Sequence, residues 1–584
     1  MRAEVRSDAP AAIPAQRAGE GPRPGRWARA RHPATVVTAI AALAHLVWLF
    51  TVSSSGGDLA AQDAWAEFVG RHPDSAYNLA WYGGMHPVSY SVLSPYLMSV
   101  LGVRTTMMAA GTVAAGLLTL VLTRTRATPY VYPAALTGVF ALMCNAASGR
   151  VTFALGTMFG LAAVACVFCP PHGWLRRGKA VAAAVCAALA TAASPVAGLF
   201  VGLVAAALFL SRRRPAAFAL GLAPVVVVVV SSWLFPFSGT QPMGFVSALL
   251  PVLASAAVFL LCPCEWRTVR LTAAIYAAAV LVCAAVDSQI GSNITRLAML
   301  FTGTVLVAAL PPRPWPLLSR ATALLLACAA FVGWIGYKSV EDVVQMRPVA
   351  AWNRELAPLI ARLESAGADR GRVEVVPPSS HRDASALSPY VNLARGWNRQ
   401  ADMERHTLFY DGTLNAATYH DWLRRWAVHY VVLPEGRPDE DGGGVREAEL
   451  LLQGQPYLRE IWSDPHWTLY AVRNPVPLAD PPATVDHAGD GQLTVRLREP
   501  GRALVRVPYT PWLGLVDATG RSLEAPRRDD DTGEYVNTSG CLMPAEKDET
   551  GDEWTVLVAP HAGIYRLAAP YQLPRGTGCP EELR

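Results

Sequence analysis

Two acids, Asp58 and Asp63, stand just past the end of the first apolar run. They open a long polar stretch that closes on His86-Pro87-Val88-Ser89-Tyr90. A membrane protein with many spans usually joins its first two helices by a short loop. Two acids, a histidine, prolines and several aromatics there suggest chemistry at the membrane face. A carboxylate held at such a boundary can act as general base toward a hydroxyl or bind a divalent cation. The five-residue offset of the two acids is about 1.4 helical turns. The competing reading of either acid is a solvated cap on a surface helix. Two arginines extend the pattern: Arg150 closes Asn145-Ala-Ala-Ser-Gly-Arg150, and Arg296 closes Asp287-Ser-Gln-Ile-Gly-Ser-Asn293-Ile-Thr-Arg296. A guanidinium fork matches phosphate. Two of them beside a membrane-facing acid suit a lipid phosphate or pyrophosphate; the alternative is snorkelling to headgroups or pairing with a loop acid.

Other stretches are dense in polar and aromatic groups. Ala394–Gln400 and Leu408–Gly412 combine rings with charge, which suits either a sugar face or packing against the membrane body. Asp529-Asp530-Asp531 reads as a solvated loop. The sequons Asn293-Ile-Thr295 and Asn537-Thr-Ser539 are short, common patterns and carry no weight. The sequence has no Walker loop, no dinucleotide glycine motif, no His-Glu-x-x-His and no Ser/His/Asp order. No cytosolic ATP-binding domain is expected, which argues against a primary pump.

The elements that must position these groups follow from composition. Only 16% of the 584 residues are charged and 52% are hydrophobic, against about 25% charged in a soluble domain. Mean hydropathy is +0.26. The charge lies in residues 1–33 and 339–584; residues 34–337 are largely Ala, Val and Leu. A span needs about 20 apolar residues. Candidates fall near 34–53, 105–123, 130–147, 151–169, 179–193, 196–210, 215–234, 244–261, 270–286, 297–310 and 320–337. The first is read as uncleaved, since it is long and no small-residue cleavage site precedes a soluble domain. The tail before it, with Arg2, Arg6, Arg17, Arg23, Arg26, Arg29 and Arg31, reads as disordered. One set of loops holds Arg124, Arg126, Arg176, Arg177, Lys179, Arg212, Arg213, Arg214, Arg267, Arg270, Arg313 and Arg320, and the other only Arg71, Arg104, Arg150 and Arg296. That bias puts the N-terminus in the cytoplasm and the C-terminal region outside the cell. It holds only if residues 88–103 lie flat on the outer surface instead of adding a twelfth span. Tyr90, Ser91, Ser94, Pro95 and Tyr96 give that stretch an interfacial character. The net charge of +5 clusters beside spans and does not point to nucleic acid.

Past Tyr337 helix and strand patterns alternate. Trp352–Gly367 and Tyr419–Trp426 read as helices, and Val373–Val376, His429–Leu433 and Trp467–Val472 as strands, so 339–475 is expected to be α/β. Pro- and Ala-rich 476–486 reads as a linker, 487–572 as a small β-sandwich and 573–584 as a tail. Of ten cysteines, eight lie in or beside the membrane body, and Cys262-Pro-Cys264 has the wrong spacing for a zinc knuckle. Cys541 and Cys579 fit one disulfide if the region is extracytoplasmic; two buried thiols are the alternative.

The layout resembles the class C (GT-C) polytopic membrane glycosyltransferases, of an actinobacterial type given the Ala, Arg, Gly and Pro content. The resemblance covers the whole chain as architecture. At residue level it rests on Asp58, His86-Pro87-x-x-Tyr90, Gly149-Arg150-x-x-Phe153 and Gly291-Ser-Asn293-x-x-Arg296. It implies a hexosyl- or pentosyltransferase that moves a sugar from a polyprenyl-phosphate donor, reached from the membrane lipid, to a cell-envelope glycan, lipid or protein. Asp58 would be the catalytic carboxylate, with Asp63 second, while Arg150 and Arg296 would hold the departing phosphate. His86, Tyr90 and Asn293 are further substrate-binding candidates. Many members carry a tighter pair of acids in this loop, whereas the spacing here is wider, which argues against a metal role for Asp63; a divalent cation stays an expectation with no ligand named. Two other readings stand beside this one. A transporter would need twelve spans in two similar halves with charge inside them. A non-catalytic envelope-assembly protein would work through its external region alone.

Overall fold

The computed structural model describes residues 32–53, 57–169, 176–311, 319–345, 355–528, 535–536, 539–548 and 550–583. The basic tail and the Asp529–Asp531 run lie outside these residues. An apolar helix stands at each stretch expected to span: α1 (Pro33–Thr51), then, after α2 (Leu59–Arg71), α3 (Pro87–Tyr90) and α4 (Ser94–Leu101), α5 (Val103–Arg124), α6 (Val131–Ala147), α7 (Val151–Phe168), α8 (Arg176–Ala193), α9 (Pro195–Leu210), α10 (Arg214–Leu234), α11 (Phe245–Leu261), α12 (Arg267–Ala285), α13 (Arg296–Ala308) and α14 (Arg320–Gln345). Among the described residues six of these, α1, α5, α7, α10, α12 and α14, are long and apolar enough to cross a membrane. Four more, in α6, α8, α9 and α11, are shorter apolar helices, and α13 has 13 residues. The chain is a polytopic α-helical membrane protein. Lipid imposes this architecture because it offers no partner for backbone N–H and C=O groups. Small residues let the helices close up: a Cβ built on Gly156 of α7 would lie 2.7 Å from the Ala197 Cβ of α9.

Residues 88–103 do not form a span. They hold the four-residue α3 and the eight-residue α4, and eight helical residues reach about 12 Å against a ~30 Å hydrocarbon core. The segment docks on the C-terminal end of α8. The Ser91 and Ser94 hydroxyls donate to the Ala193 carbonyl at 2.8 and 2.9 Å, and Leu93 N–H donates to Ala192 O at 3.0 Å. These bonds satisfy carbonyls that a helix end leaves orphaned.

The α/β region contains α15 (Leu356–Ala366), β1 (Arg372–Val375), α16 (Arg382–Ala386), α17 (Arg399–Arg405), α18 (Ala416–Arg425), β2 (Val428–Pro434), α19 (Gly444–Leu452), β3 (Leu458–Ser463) and β4 (Trp467–Val472). Its sheet runs β1-β2-β4-β3, with β1 and β2 parallel and the rest antiparallel. One face of this sheet packs on a cluster of the region's own residues, such as Tyr419, Trp422 and Leu451, and another cluster is shared. Trp65, Phe68, Trp81 and Met85 of the loop after α1 are buried in one cluster with Leu359, Val373, Val432 and Leu469. The loop and the α/β region are therefore one packed body. Ala394–Gln400 and Leu408–Gly412 also serve packing: Arg395 is buried over the Phe409 ring at 3.9 Å and forks onto Asp402 at 3.0 and 2.7 Å.

The C-terminal part is a sandwich of two antiparallel sheets, β5-β6-β13-β8 and β11-β12-β7. The strands are β5 (Ala483–Ala488), β6 (Gln492–Leu497), β7 (Gly501–Pro508), β8 (Gly514–Val516), β11 (Cys541–Pro544), β12 (Trp554–Ala559) and β13 (Gly563–Ala568); β9 (Arg527–Arg528) and β10 (Tyr535–Val536) form a separate ribbon. Alternate residues such as Leu493, Val495 and Leu497 face Ala503, Val505 and Val507 across the core, the period-two pattern of half-buried strands. Two boundaries differ from the sequence expectation. β5 starts inside the stretch read as a linker, where Ala483 pairs with Leu497. The segment read as a tail carries Cys579, which is disulfide-bonded to Cys541, and Gly578 bridges Leu542.

Candidate active site

Three loops at one end of the bundle bring the predicted charges together. Asp58 occupies the residue before α2, yet its side chain makes no capping bond to that helix. Its backbone N–H instead donates to Ser148 O at 3.4 Å, which joins it to the turn between α6 and α7. In that turn Gly149 takes a φ of +76°, a conformation that glycine adopts without steric cost. The reversal leaves Arg150 at the head of α7. Arg296 is the first residue of α13 and follows a 3-10 turn over Gly291–Thr295. The Tyr276 hydroxyl fixes that turn by donating to Ile294 O at 2.8 Å. Gly291, with a φ of +41°, lies so close to the Gln241 backbone that a Cβ would sit 1.5 Å from its carbonyl oxygen.

Asp58 Oδ2 is 3.6 Å from Arg150 Nε and 3.6 Å from Arg296 Nη2. Both separations exceed the usual N–H···O range of about 2.7–3.2 Å. The charges are apposed but not closed into forks, so donors on both guanidiniums and the acceptor sites of Asp58 stay available. The Asp58 side chain is 36% exposed, whereas Arg150 and Arg296 are 20% and 19% exposed. The Arg296 guanidinium also lies 5.4 Å over the Phe153 ring. Tyr90 joins the site. Its hydroxyl accepts from Gln62 Nε2, its ring stacks on Trp65 at 5.7 Å, and it lies within electrostatic reach of Asp58 and Arg296. Burial holds this phenol above its ordinary range, so it stays protonated. The α/β region roofs the site, where Trp397 Nε1 donates to Gly57 O at 3.0 Å.

Asp342 on α14, missed by the sequence reading, completes the constellation. Its Oδ2 accepts from Ser148 Oγ at 2.7 Å and faces Arg150 Nη2 at 3.5 Å, while its Oδ1 is 3.9 Å from Lys338 Nζ. The signal available was Lys338-Ser-Val-Glu341-Asp342, which puts charges at one helical face just past the last apolar run. An apolar groove with a cavity volume of about 550 Å³ opens beside it, lined by Leu43, Val47, Trp48, Met143, Cys144 and Ser339. It ends one turn below Asp342.

A family model described as a domain of unknown function, DUF8823, matches residues 480–584, so its bounds include β5 and the segment bearing Cys579. No curated protein matches the sequence. Among solved structures, the arabinofuranosyltransferase AftD from Mycobacteria is similar at a TM-score of 0.45 and 13% identity, over 91% of this chain and 57% of its own. The Archaeoglobus fulgidus oligosaccharyltransferase tethered with an acceptor peptide gives 0.43 and 11%, over 69% of each chain. ArnT from Cupriavidus metallidurans bound to undecaprenyl phosphate gives 0.41 and 13%, over 75% of this chain and 97% of its own. The present chain thus spans little more than half the length of the AftD chain.

The remaining candidates stand elsewhere. Asp63 is held in an ion-pair cluster: one oxygen takes Arg104 Nη1 and the other takes Arg382 Nη1 at 2.7 Å. It fastens α2 to the head of α5 and to α16. Among the described residues no group of three or more Asp, Glu, His or Cys is set to hold a metal. His86 is buried between Tyr77 and Phe235, with Nδ1 2.7 Å from Ala76 O and Nε2 3.2 Å from Thr510 Oγ1. Burial lowers its pKa to about 4, so it is a neutral peg between loop and sandwich. Asn293 contributes its backbone carbonyl, which accepts the Arg296 N–H.

Proposed function

We propose that this chain is a GT-C-type glycosyltransferase that moves a hexosyl or pentosyl unit from a polyprenyl-phosphate carrier to a hydroxyl of a cell-envelope glycan, lipid or protein. The observation that carries the reading is the meeting of Asp58 with Arg150 and Arg296 at 3.6 Å with unclosed contacts. Asp58 takes the proton of the acceptor hydroxyl as its oxygen bonds to the anomeric carbon. The bond from that carbon to the carrier phosphate breaks, and its electron pair leaves with the phosphate. Arg150 and Arg296 neutralise the charge that develops there. The apolar groove between α1, α6 and α14 gives the carrier a seat, and its lining reaches Ala147 and Ser339, beside Ser148 and one turn from Asp342. Eleven crossings, an N-terminus in the cytoplasm and an external C-terminal region follow from the loop charge bias and put the site on the outer face.

The test uses the full chain with a radiolabelled polyprenyl-phosphoryl sugar and envelope glycan acceptors. Asp58→Asn keeps the size and packing of the side chain and removes the base. It should reduce transfer by about a hundredfold or more while insertion and thermal midpoint stay at wild type. Wild-type turnover in Asp58→Asn ends the proposal.

A further inference from the structure

Arg150 stands between two carboxylates. Its Nε is directed toward Asp58 and its Nη2 toward Asp342. An arginine beside a single carboxylate frequently closes into a two-bond fork. Here the far nitrogen is turned toward Asp342 at 3.5 Å, and Nε faces Asp58 at 3.6 Å, so neither carboxylate takes both nitrogens. Asp342 is itself fixed. Ser148 donates to it, Lys338 faces its other oxygen, and Lys338 is held in turn by Glu341 at 2.7 Å. The last turn of the same helix is tied to the α/β region, where Ser379 Oγ donates to Gln345 O at 3.1 Å.

We propose that Asp342 is a positioning residue that holds Arg150 off Asp58, so that the first keeps donors for an anionic leaving group and the second keeps an oxygen for the acceptor. Resting on the reading of the site as a lipid-phosphate seat, the inference adds a residue that neither the loop acid nor the arginine motifs include. Two effects oppose each other when Asp342 loses its charge. The fork closes on Asp58, which removes donors from the phosphate seat, and an anion near the incoming phosphate disappears, which favours binding. The first effect carries the expectation, with the Ser148 hydroxyl bonded to the Asp342 carboxylate and Lys338 Nζ 3.9 Å from its other oxygen, and the titration separates the two.

Farnesyl phosphate and farnesol, titrated separately into the full chain in detergent, give the test. Wild type should prefer the phosphate, and Arg150→Gln should remove that preference. Asp342→Asn should weaken farnesyl phosphate by about tenfold, Asp342→Glu should return it to within about threefold, and Asp342→Asn in the Arg150→Gln background should add no further loss. Farnesol affinity should stay unchanged in every variant. Ser148→Ala, which releases Asp342 without altering charge, should show the same dependence on Arg150 and reads the coupling if Asp342→Asn fails to fold. No phosphate preference in wild type, or a preference that survives Arg150→Gln, overturns the site reading and this inference with it. A retained preference with equal or tighter binding in Asp342→Asn overturns the inference alone. So does an equal loss in the Arg150→Gln background or a parallel loss of farnesol.

Discussion

Arginine at position 296 does more than supply a positive charge. Its guanidinium lies over the Phe153 ring, with Nη2 toward Asp58, which leaves its other N–H groups to meet two oxygens of one phosphate. Lysine at this position would keep the charge and lose the planar fork. Charge-assisted hydrogen bonds contribute about 1.5–3 kcal/mol each, so Arg296→Lys should weaken polyprenyl-phosphate binding by roughly 2 kcal/mol, or ~30-fold. Calorimetric titration checks this, and unaltered affinity would reduce Arg296 to a general source of charge. Arg150 and Arg296 were legible because they stand in loops where positive charge is scarce, and Asp58 because it opens the long polar loop past the first apolar run. Asp342 was not. Three residues before it the helix still carries the mixed surface of a span end, and only the fold shows that this end returns to Ser148.

Elements place those side chains through a few backbone features. The Gly291 turn is one, because its positive φ and its approach to Gln241 leave no room for a Cβ. Gly291→Ala should shift the turn, move Arg296 at the head of α13, and cost about 2 kcal/mol or more in stability. Gly333→Ala, in α14 with open space around it, should keep both stability and transfer. Thermal unfolding and turnover of the two variants decide the point, and equal behaviour would contradict it. The apolar helices were legible because long runs of Ala, Val and Leu announce themselves without tertiary context. β5 was not, since Pro481 and Pro482 lie just before it and mask a strand whose pairing with β6 forms only in the sandwich. The C-terminal segment was too short to show strand periodicity, although Cys579 marked it as tied down.

At the scale of the molecule, the loop after α1 acts as a keystone. Trp65 and Trp81 fill the α/β core, and Ala76, Tyr77 and Leu79 fill the sandwich core. Trp512 of the sandwich stacks on Phe235 at 5.0 Å and donates to Leu234 O at 3.0 Å, which seats the sandwich on α10. Sequence separation hid this arrangement, because a loop rich in aromatics reads equally well as a binding surface. His86 sits in the joint with its pKa lowered by burial to about 4, against about 6.5 in an unfolded chain. The folded state therefore binds fewer protons than the unfolded one between these values. The contribution of His86 is complete above pH 6.5 and is lost as pH falls toward 4. His86→Gln should remove this acid sensitivity, so the difference in thermal midpoint between the two proteins should change between pH 6.5 and 4. Parallel curves would contradict the burial argument.

The central claim is that Asp58, Arg150 and Arg296 form one seat for a lipid phosphate at the head of an apolar groove. Electron cryomicroscopy of the full chain in a lipid nanodisc with an added polyprenyl monophosphate tests it most directly. The account predicts the phosphate within hydrogen-bond reach of both guanidiniums, the first isoprenoid units between α1, α6 and α14, and the Asp58 carboxylate facing the open side. Density for the phosphate at any other surface, or on one arginine with the other turned away, would contradict it.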